Sequence, residues 1–266
     1  MSDQELIIHL RNELRQHNHR YYVSDNPIIS DYDFDMKLRQ LKVLESQYPE
    51  MQDPNSPTIR VGGSVTKNFK TVVHRQRMYS LENSYSKDDL IDWEVRIKKL
   101  VDGPINYTCE LKYDGASISI TYKNGFLFQA ITRGDGTQGD DVTDNIKTIK
   151  SVPLKLQGDF PETFEIHGEI VLPLGGFNAM NRERISSGIE PFKNPRNTAS
   201  GSLKLQDSSE VAKRPLECFL YNVVGDNTGI EYQFDNLEKA RSWGFKVPNE
   251  AKCVDTIDHV IEFISY

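Results

Sequence analysis

The first sixty residues carry apolar side chains at helical spacing, interrupted by one break. Between residues 4 and 22 the apolar positions recur every three or four residues, which predicts an amphipathic helix. Asn26-Pro27 ends this helix. Ser30 is a suitable N-cap for a second helix, with Asp33 at the capping-box position. Several prolines then predict a linker over 54–70, so this part of the chain is predicted to form a small helical hairpin.

The remainder of the chain alternates between strand and helix patterns. Residues 105–133 predict strand, tight link, strand, turn and strand, because Lys123-Asn124-Gly125 is a hairpin signal between apolar runs. Further strands are predicted over 163–172 and 217–224. Helices are predicted over 86–100, 174–186, 234–243 and 256–264. We therefore expect an α+β fold with mostly antiparallel strands, divided into domains at 1–65 and 66–266.

Composition adds few constraints. The chain has 266 residues, a net charge of −7 and no apolar run long enough to cross a membrane. Its acidic start lacks the features of a signal peptide, so we expect a cytoplasmic protein that does not bind membranes. We also expect a monomer. The three cysteines form no CxxC pair, so the sequence contains no recognisable zinc site. We expect each cysteine to be a buried free thiol.

Basic residues are concentrated in one segment of this acidic chain. Between residues 182 and 214 there are seven Lys/Arg and four Asp/Glu, a local surplus of three positive charges. Such a segment can contact phosphates. A solvated surface of mixed charge is the alternative.

Residues 110–115 (ELKYDG) carry the strongest chemical signal. In a strand, Glu110, Lys112 and Asp114 would share one face. Three charges in line are costly unless they border a cleft, although an exposed edge strand with self-compensating charges is an alternative. A neutral lysine in such a place is a candidate nucleophile.

The flanks of this segment resemble the covalent nucleotidyltransferases, which comprise DNA ligases, RNA ligases and mRNA capping enzymes. The resemblance rests on Lys-x-Asp-Gly at 112–115 together with Arg-Gly-Asp-Gly at 133–136. It implies that Lys112 attacks the α-phosphate of a nucleotide to form lysine–AMP. It also places Asp114 among the catalytic residues and Arg133 among the nucleotide-binding residues.

Two further segments extend the resemblance. Glu169 matches a glutamate that faces the nucleotide and contacts its ribose or a metal; the alternative is a surface strand glutamate. Residues 194–203 (NPRNTASGSL) closely resemble a segment specific to the bacterial NAD-dependent DNA ligases. In that family Arg196 is associated with DNA and nucleotide phosphates, and Lys204 is a further candidate for nucleic-acid contact. Taken without the resemblance, this segment is a loop that enters a helix.

The N-terminal hairpin resembles the small domain that holds the nicotinamide mononucleotide (NMN) half of NAD in these ligases. Aromatic rings stack on a cationic ring, and carboxylates accept hydrogen bonds from ribose hydroxyls. The alternative is that the aspartates only stabilise the first turn of the helix, where the helix dipole favours negative charge. The two interpretations are compatible. The candidates are Tyr21, Tyr22, Asp31, Tyr32, Asp33, Phe34 and Asp35.

The adenosine half of the donor has its own matching positions. Ser80 and Leu81 match a segment that lies against the adenosine, and Tyr221 matches the aromatic residue below the adenine. Glu110 matches the position that recognises the base. For Tyr221, a core strand tyrosine is the alternative.

The chain departs from the family pattern at four positions. Tyr22 stands where a histidine is usual and Phe34 where a tyrosine is usual. His167 and Lys204 stand where arginines are usual. A histidine is uncharged or partly charged near neutral pH, which puts a phosphate contact at residue 167 in doubt.

The resemblance implies three reactions: transfer of AMP from NAD to Lys112, transfer to the 5′-phosphate of nicked double-stranded DNA, and sealing of the nick. Mg²⁺ would neutralise phosphate charge. We expect a truncated adenylation region, because the last nucleotidyltransferase motif and the zinc-binding region of the family are absent from the sequence. The alternatives are an NAD- or adenosine-binding fragment with little turnover, and an ATP- or GTP-dependent enzyme of the RNA-ligase or capping type.

Overall fold

The N-terminal part is a helical hairpin, as predicted. The computed structural model describes residues 2–24, 26–61, 68–225 and 231–265. Helices α1 (Asp3–Tyr22) and α2 (Asp31–Gln47) pack through their apolar stripes around a small separate core. Ser2 and Glu5 form a capping box at the start of α1.

Ser30 caps α2, but without the reciprocal bond of a capping box. Its hydroxyl oxygen accepts from the backbone N–H of Asp33 at 3.1 Å, as predicted. The same hydroxyl donates to the Asp33 carboxylate at 2.7 Å. A glutamate in a capping box accepts from the backbone N–H of the N-cap residue, but the shorter Asp33 side chain accepts from the Ser30 hydroxyl instead. Asp33 therefore stabilises the start of α2.

A linker with two short 3₁₀ helices, Pro49–Met51 and Pro57–Val61, follows α2. Half-buried Arg60 anchors it, because the guanidinium donates to the carbonyls of Ile149 and Val152 at 2.6 Å each. Burial lowers the pKa of Arg60 to about 10. The predicted domain boundary at residue 65 lies outside the described residues, as does Asp25 of the first aromatic–aspartate motif.

The second part is built on a four-stranded antiparallel sheet of order β4-β3-β6-β7. The Asn-Gly hairpin signal is confirmed, since Asn124 and Gly125 both adopt positive φ between β3 and β4. The strands of this sheet are β3 (Ala116–Lys123), β4 (Phe126–Thr132), β6 (Thr163–Val171) and β7 (Glu217–Val224).

Helices cover one face of this sheet. Ile118, Ile120 and Ile166 point into the main core, which the apolar residues of the helices complete. The helices that contribute to this core are α4 (Thr143–Lys147), α5 (Leu174–Ser186), α6 (Pro195–Leu203), α7 (Ser208–Ala212) and α8 (Gln233–Ser242). Because strand side chains alternate, Glu165, His167 and Glu169 project from the opposite face.

Two small two-stranded sheets flank the large one. β1 (Thr71–Val73) pairs with β5 (Gln138–Asp140) beside the polar face. β2 (Tyr107–Cys109) pairs with β8 (Lys252–Val254), and these two strands pack with α3 (Lys87–Lys98) and α9 (Ile257–Ser265). The first strand predicted within 105–133 is present as β2, whereas β1, β5, β8 and the five-residue helices α4 and α7 escaped the sequence analysis because they are too short for a detectable pattern.

Two expectations need correction. Cys109 and Cys218 are buried, but Cys253 is exposed, because the neighbouring Val254 packs against the small core and Cys253 points to the opposite face of β8. The segment taken as a loop entering a helix is mostly helix α6, which Asn194 caps. Among the residues that the structure describes, no helix has both the length and the apolar character needed to cross a membrane.

Candidate active site

The segment that carries Lys112 is not a strand, which corrects the sequence analysis. β2 ends at Cys109 and β3 begins at Ala116, so residues 110–115 form an irregular link between two different sheets. Strand alternation therefore does not place Glu110, Lys112 and Asp114 on one face. The two latter side chains are exposed, whereas Glu110 is half-buried.

Glu169 joins this link to the polar face of the sheet. Its carboxylate accepts from the backbone N–H of Gly115 at 3.1 Å and from the Ser117 hydroxyl at 2.7 Å. Burial raises the pKa of Glu169, while the charges of Lys112 and Arg196 act in the opposite direction. Lys112 and Arg196 therefore lie within electrostatic reach of this carboxylate.

Arg196 extends the cluster from the start of α6. Its guanidinium lies 3.3 Å from the Asp114 carboxylate, and both side chains are more than half exposed. Lys204, at the other end of the helix, pairs with Asp140 at 2.8 Å. Exposed pairs of this kind contribute little to stability, which leaves both cations accessible to a phosphate.

Tyr221 occupies a β-bulge. In the β6–β7 ladder His167 faces Asn222 and Gly168 faces Leu220, so Tyr221 is the extra residue. A bulge redirects a side chain and is frequent beside active sites. Burial raises the pKa of Tyr221 to about 12, so the phenol stays protonated.

The predicted Arg-Gly-Asp-Gly motif is a tight turn between β4 and β5. Gly134 and Gly136 have φ of 56° and 89°, which favours glycine at both. The Asp135 carboxylate accepts from the backbone N–H groups of Thr137 and Gln138. Arg133 enters this turn with its backbone N–H bonded to the Ser117 carbonyl, beside the Glu169 cluster.

Ser80 and Leu81 are not part of this cluster. Both are exposed, Leu81 by 76 %. None of the contacts among the described residues joins either of them to Lys112 or Glu169. The preceding Met78 is instead buried, with its backbone N–H bonded to the Gly136 carbonyl.

His167 lies beneath the cluster, and its environment excludes a cation. It is buried, and burial together with the nearby His74 lowers its pKa to about 4. Its Nε2 has no hydrogen-bond partner among the described residues. A neutral buried imidazole does not replace an arginine at a phosphate, which supports the doubt raised by the sequence.

Most of the candidate residues of the hairpin line a different cavity. A cavity of about 590 Å³ lies between the hairpin and the second part of the chain, lined by Tyr21, Tyr22, Asp31, Phe34 and Asp35. Tyr32 and Asp33 do not line it: Tyr32 is 71 % exposed, and Asp33 binds Ser30.

Three cations complete this cavity: Arg60, Lys150 and Lys213. The Lys150 ammonium donates to the Tyr22 hydroxyl at 2.8 Å. Lys150 and Lys213 come from the second part of the chain. The sequence analysis missed all three because they belong to no motif and reach the cavity only through packing of the two parts.

The two groups of candidate residues are separate in this structure. Lys150 and Lys213 follow α4 and α7, which pack on the apolar face of the sheet, whereas Glu169 and Tyr221 belong to the region of its polar face. No residue that lines the hairpin cavity belongs to the Lys112–Glu169 cluster.

Gly115 offers a test of how the Lys112 link is held. It is buried, and a β-carbon at this position would collide with the Ile170 carbonyl of β6. For the lysine–AMP formation that the sequence resemblance predicts, we expect Gly115→Ala to displace the link and to slow the reaction by about tenfold or more, since a displacement of this kind costs on the order of 1–3 kcal/mol. Intact-mass spectrometry after exposure to NAD measures the adduct.

Gly201→Ala is the matched control, because a β-carbon on Gly201 in α6 would meet nothing within 4 Å. This control variant should form the adduct at the wild-type rate. Equal rates for Gly115→Ala and the wild-type chain would contradict the tight packing of the link.

The fold and the cluster define a class of protein. An antiparallel sheet with Glu169 on its polar face, bound to a Lys-x-Asp-Gly link that carries an exposed lysine, is the arrangement of a covalent nucleotidyltransferase, here preceded by a helical hairpin.

Comparison with known proteins identifies the family. The family model of the NAD-dependent DNA ligase adenylation domain matches residues 66–266, and that of the DNA ligase-like N-terminal NAD⁺-binding domain matches residues 1–62. The chain belongs to the NAD-dependent DNA ligase adenylation domain family.

Curated relatives agree with this assignment. The chain is 65 % identical to the DNA ligase of Christiangramia forsetii over 266 residues and 66 % identical to that of Flavobacterium johnsoniae over 268. It is 50 % identical to the DNA ligase of Bacteroides fragilis over 268 residues. In each case all of this chain aligns with 40 % of the relative, so the chain spans less than half the length of these proteins.

Proposed function

We propose that this chain is the adenylation region of an NAD-dependent DNA ligase and that Lys112 is its nucleophile. The observation that carries the proposal is the cluster around Glu169, which brings the Lys112 link, Ser117 and Arg196 to one side of the sheet. The neutral amine of Lys112 attacks the α-phosphorus of NAD. The bond from that phosphorus to the NMN phosphate oxygen breaks, NMN leaves, and a lysine–AMP phosphoramidate forms.

Arg196 and Asp114 act beside the nucleophile in this proposal. The Arg196 guanidinium supplies positive charge near the phosphate, and Asp114 holds it at 3.3 Å until the phosphate competes for it. Arg133 offers a second cation from the turn next to Ser117. Preorganised charge at the reacting phosphate stabilises the transition state.

The adenosine would lie on the polar face of the sheet. Glu169 is placed to accept a hydrogen bond from the ribose, Tyr221 supplies an aromatic platform, and Glu110 accepts from the amino group of the base. Ser80 and Leu81 are exposed and would have to fold back to cover it.

The hairpin side of the cavity between the two parts of the chain is the proposed site for the NMN half. Tyr21, Tyr22 and Phe34 offer aromatic surface to the nicotinamide, while Asp31 and Asp35 offer acceptors to the ribose. Tyr32 and Asp33 are weaker candidates, since neither lines the cavity. Because NAD is one molecule, we propose that the hairpin leaves its Arg60 and Lys150 contacts to reach Lys112.

In this proposal Mg²⁺ would bind together with the phosphates of NAD. Among the described residues there is no group of three or more Asp, Glu, His or Cys side chains that could hold a metal ion. The Glu169 carboxylate already accepts two hydrogen bonds. Mg²⁺ commonly binds through one or two carboxylates together with substrate phosphates. No step above depends on it.

Nicked double-stranded DNA is the proposed acceptor of AMP in the whole protein. Arg196 and Lys204 are exposed at opposite ends of α6, where they are accessible to backbone phosphates. A cytoplasmic location and a monomeric state stay predictions from the sequence.

The direct test is to mix the chain with NAD and Mg²⁺ and to measure its intact mass. The proposal expects a gain of one AMP with NAD and none with ATP or GTP. A gain with ATP or GTP alone would favour an RNA-ligase or capping type of enzyme. NAD binding without a mass gain would favour a binding fragment, a candidate supported by the separation of the two residue groups.

A further inference from the structure

Gln233, the first residue of α8, contacts both residues assigned to the donor base. Its side-chain Nε2 donates to Glu110 Oε1 at 3.0 Å and to the backbone carbonyl oxygen of Tyr221 at 2.7 Å. An amide nitrogen has two hydrogens, so both bonds form at once. Gln233 is half-buried and belongs to none of the motifs found in the sequence.

Both partners need such a donor. Tyr221 is the bulged residue of β7 without a facing residue in β6, and its carbonyl accepts the hydrogen bond from Gln233. Glu110 lies on an irregular link without ladder bonds of its own, and burial raises its pKa while the Gln233 bond lowers it. Without this donor, both acceptors would lose a hydrogen bond in half-buried surroundings. The Gln233 amide therefore fixes two otherwise loose groups relative to one another.

This geometry has a consequence for recognition of the base. With Oε1 bound to Gln233, the other oxygen of Glu110 is left to accept from a ligand. A carboxylate accepts the amino group of adenine but repels the carbonyl oxygen that hypoxanthine or guanine presents at the same position. Discrimination requires that this oxygen be held at a fixed distance from the ring platform of Tyr221.

We infer that Gln233 is a positioning residue, which locks Glu110 to the Tyr221 bulge and thereby sets the preference of the donor site for a purine with its amino group at carbon 6, as in adenine. The inference rests on the proposed function. It assigns a role to a side chain that touches neither the base nor the reacting phosphate.

The test compares binding of NAD and nicotinamide hypoxanthine dinucleotide to the 266-residue chain by calorimetry. The wild-type chain should prefer NAD by about tenfold or more, the value of one charge-assisted hydrogen bond. Gln233→Met keeps the length of the side chain but removes the donor. It should bring the two affinities to within about threefold of each other, mainly through weaker NAD binding.

Gln129→Met is the matched control, because Gln129 also donates its Nε2 to a carboxylate, Asp141 at 2.8 Å, on β4 away from Glu110. This control should keep the wild-type preference. If Gln233→Met also keeps it, the role of Gln233 is refuted while the proposed function stands. If the wild-type chain binds neither dinucleotide, the proposed function fails and the inference fails with it.

Gln233→Glu provides a second readout if the methionine variant does not fold. A carboxylate at residue 233 repels Glu110 and the Tyr221 carbonyl, but a protonated carboxyl can still donate one hydrogen bond. NAD affinity of this variant should rise by about tenfold as pH falls from about 8 to about 6, whereas the wild-type affinity changes little. A flat pH profile for a folded Gln233→Glu variant would also refute the inference.

Discussion

Replacing Lys112 by alanine is expected to abolish formation of lysine–AMP. The reaction needs a primary amine near Glu169, and the charge of Lys112 is close enough to that carboxylate to oppose the rise in its pKa that burial causes. Losing a covalent nucleophile commonly costs several orders of magnitude in rate. Intact-mass spectrometry of the chain after incubation with NAD and Mg²⁺ provides the measurement.

Two further variants sharpen this test. Lys112→Arg retains the positive charge but not the nucleophilic amine, so it should bind NAD and remain unmodified. Lys193→Ala removes a lysine that is 89 % exposed and should leave the adduct unchanged. An AMP adduct on the Lys112→Ala chain, located by peptide mapping to another residue, would rule out Lys112 as the nucleophile.

Deleting residues 1–60 is expected to remove reactivity with NAD while leaving transfer from a pre-formed adenylate intact. The hairpin has its own small core, and the large sheet has another, so the second part keeps its main packing. The Ile149 and Val152 carbonyls released from Arg60 would then meet water. In the whole ligase, nick sealing by enzyme already adenylated should continue, whereas new adenylation from NAD should fall by several orders of magnitude.

Single substitutions of the α2 aspartates test, without a deletion, whether the hairpin binds the NMN half of NAD. Asp35 lines the hairpin cavity and Asp33 does not. Asp35→Asn should therefore weaken NAD use by about tenfold, the value of one charge-assisted hydrogen bond, while Asp33→Asn should affect mainly the start of α2. Equal effects of the two substitutions, or NAD reactivity that survives the deletion, would argue against the hairpin as the NMN site.

Local patterns were sufficient for most of the larger elements. The apolar spacing of α1, the Ser30 cap and the Asn124-Gly125 turn each follow from interactions within a few residues, and each is present in the structure. The strand prediction for residues 110–115 was wrong because pairing of this segment depends on distant parts of the chain. It alternates like a strand, but whether it pairs depends on the sheets at its two ends, and β2 and β3 belong to different sheets.

The sequence by itself determined the family, the hairpin, and the identity of Lys112, Glu169 and Arg196 as candidates, because motifs and short-range periodicity are properties of consecutive residues. The tertiary structure alone decided that Glu169 binds Gly115 and Ser117, that Tyr221 is bulged, and that His167 is neutral. It also decided the contacts of Lys150 and Gln233, whose partners lie 128 and 123 residues away in the chain. Contacts over such separations depend on how sheets and helices pack, and no local pattern encodes them.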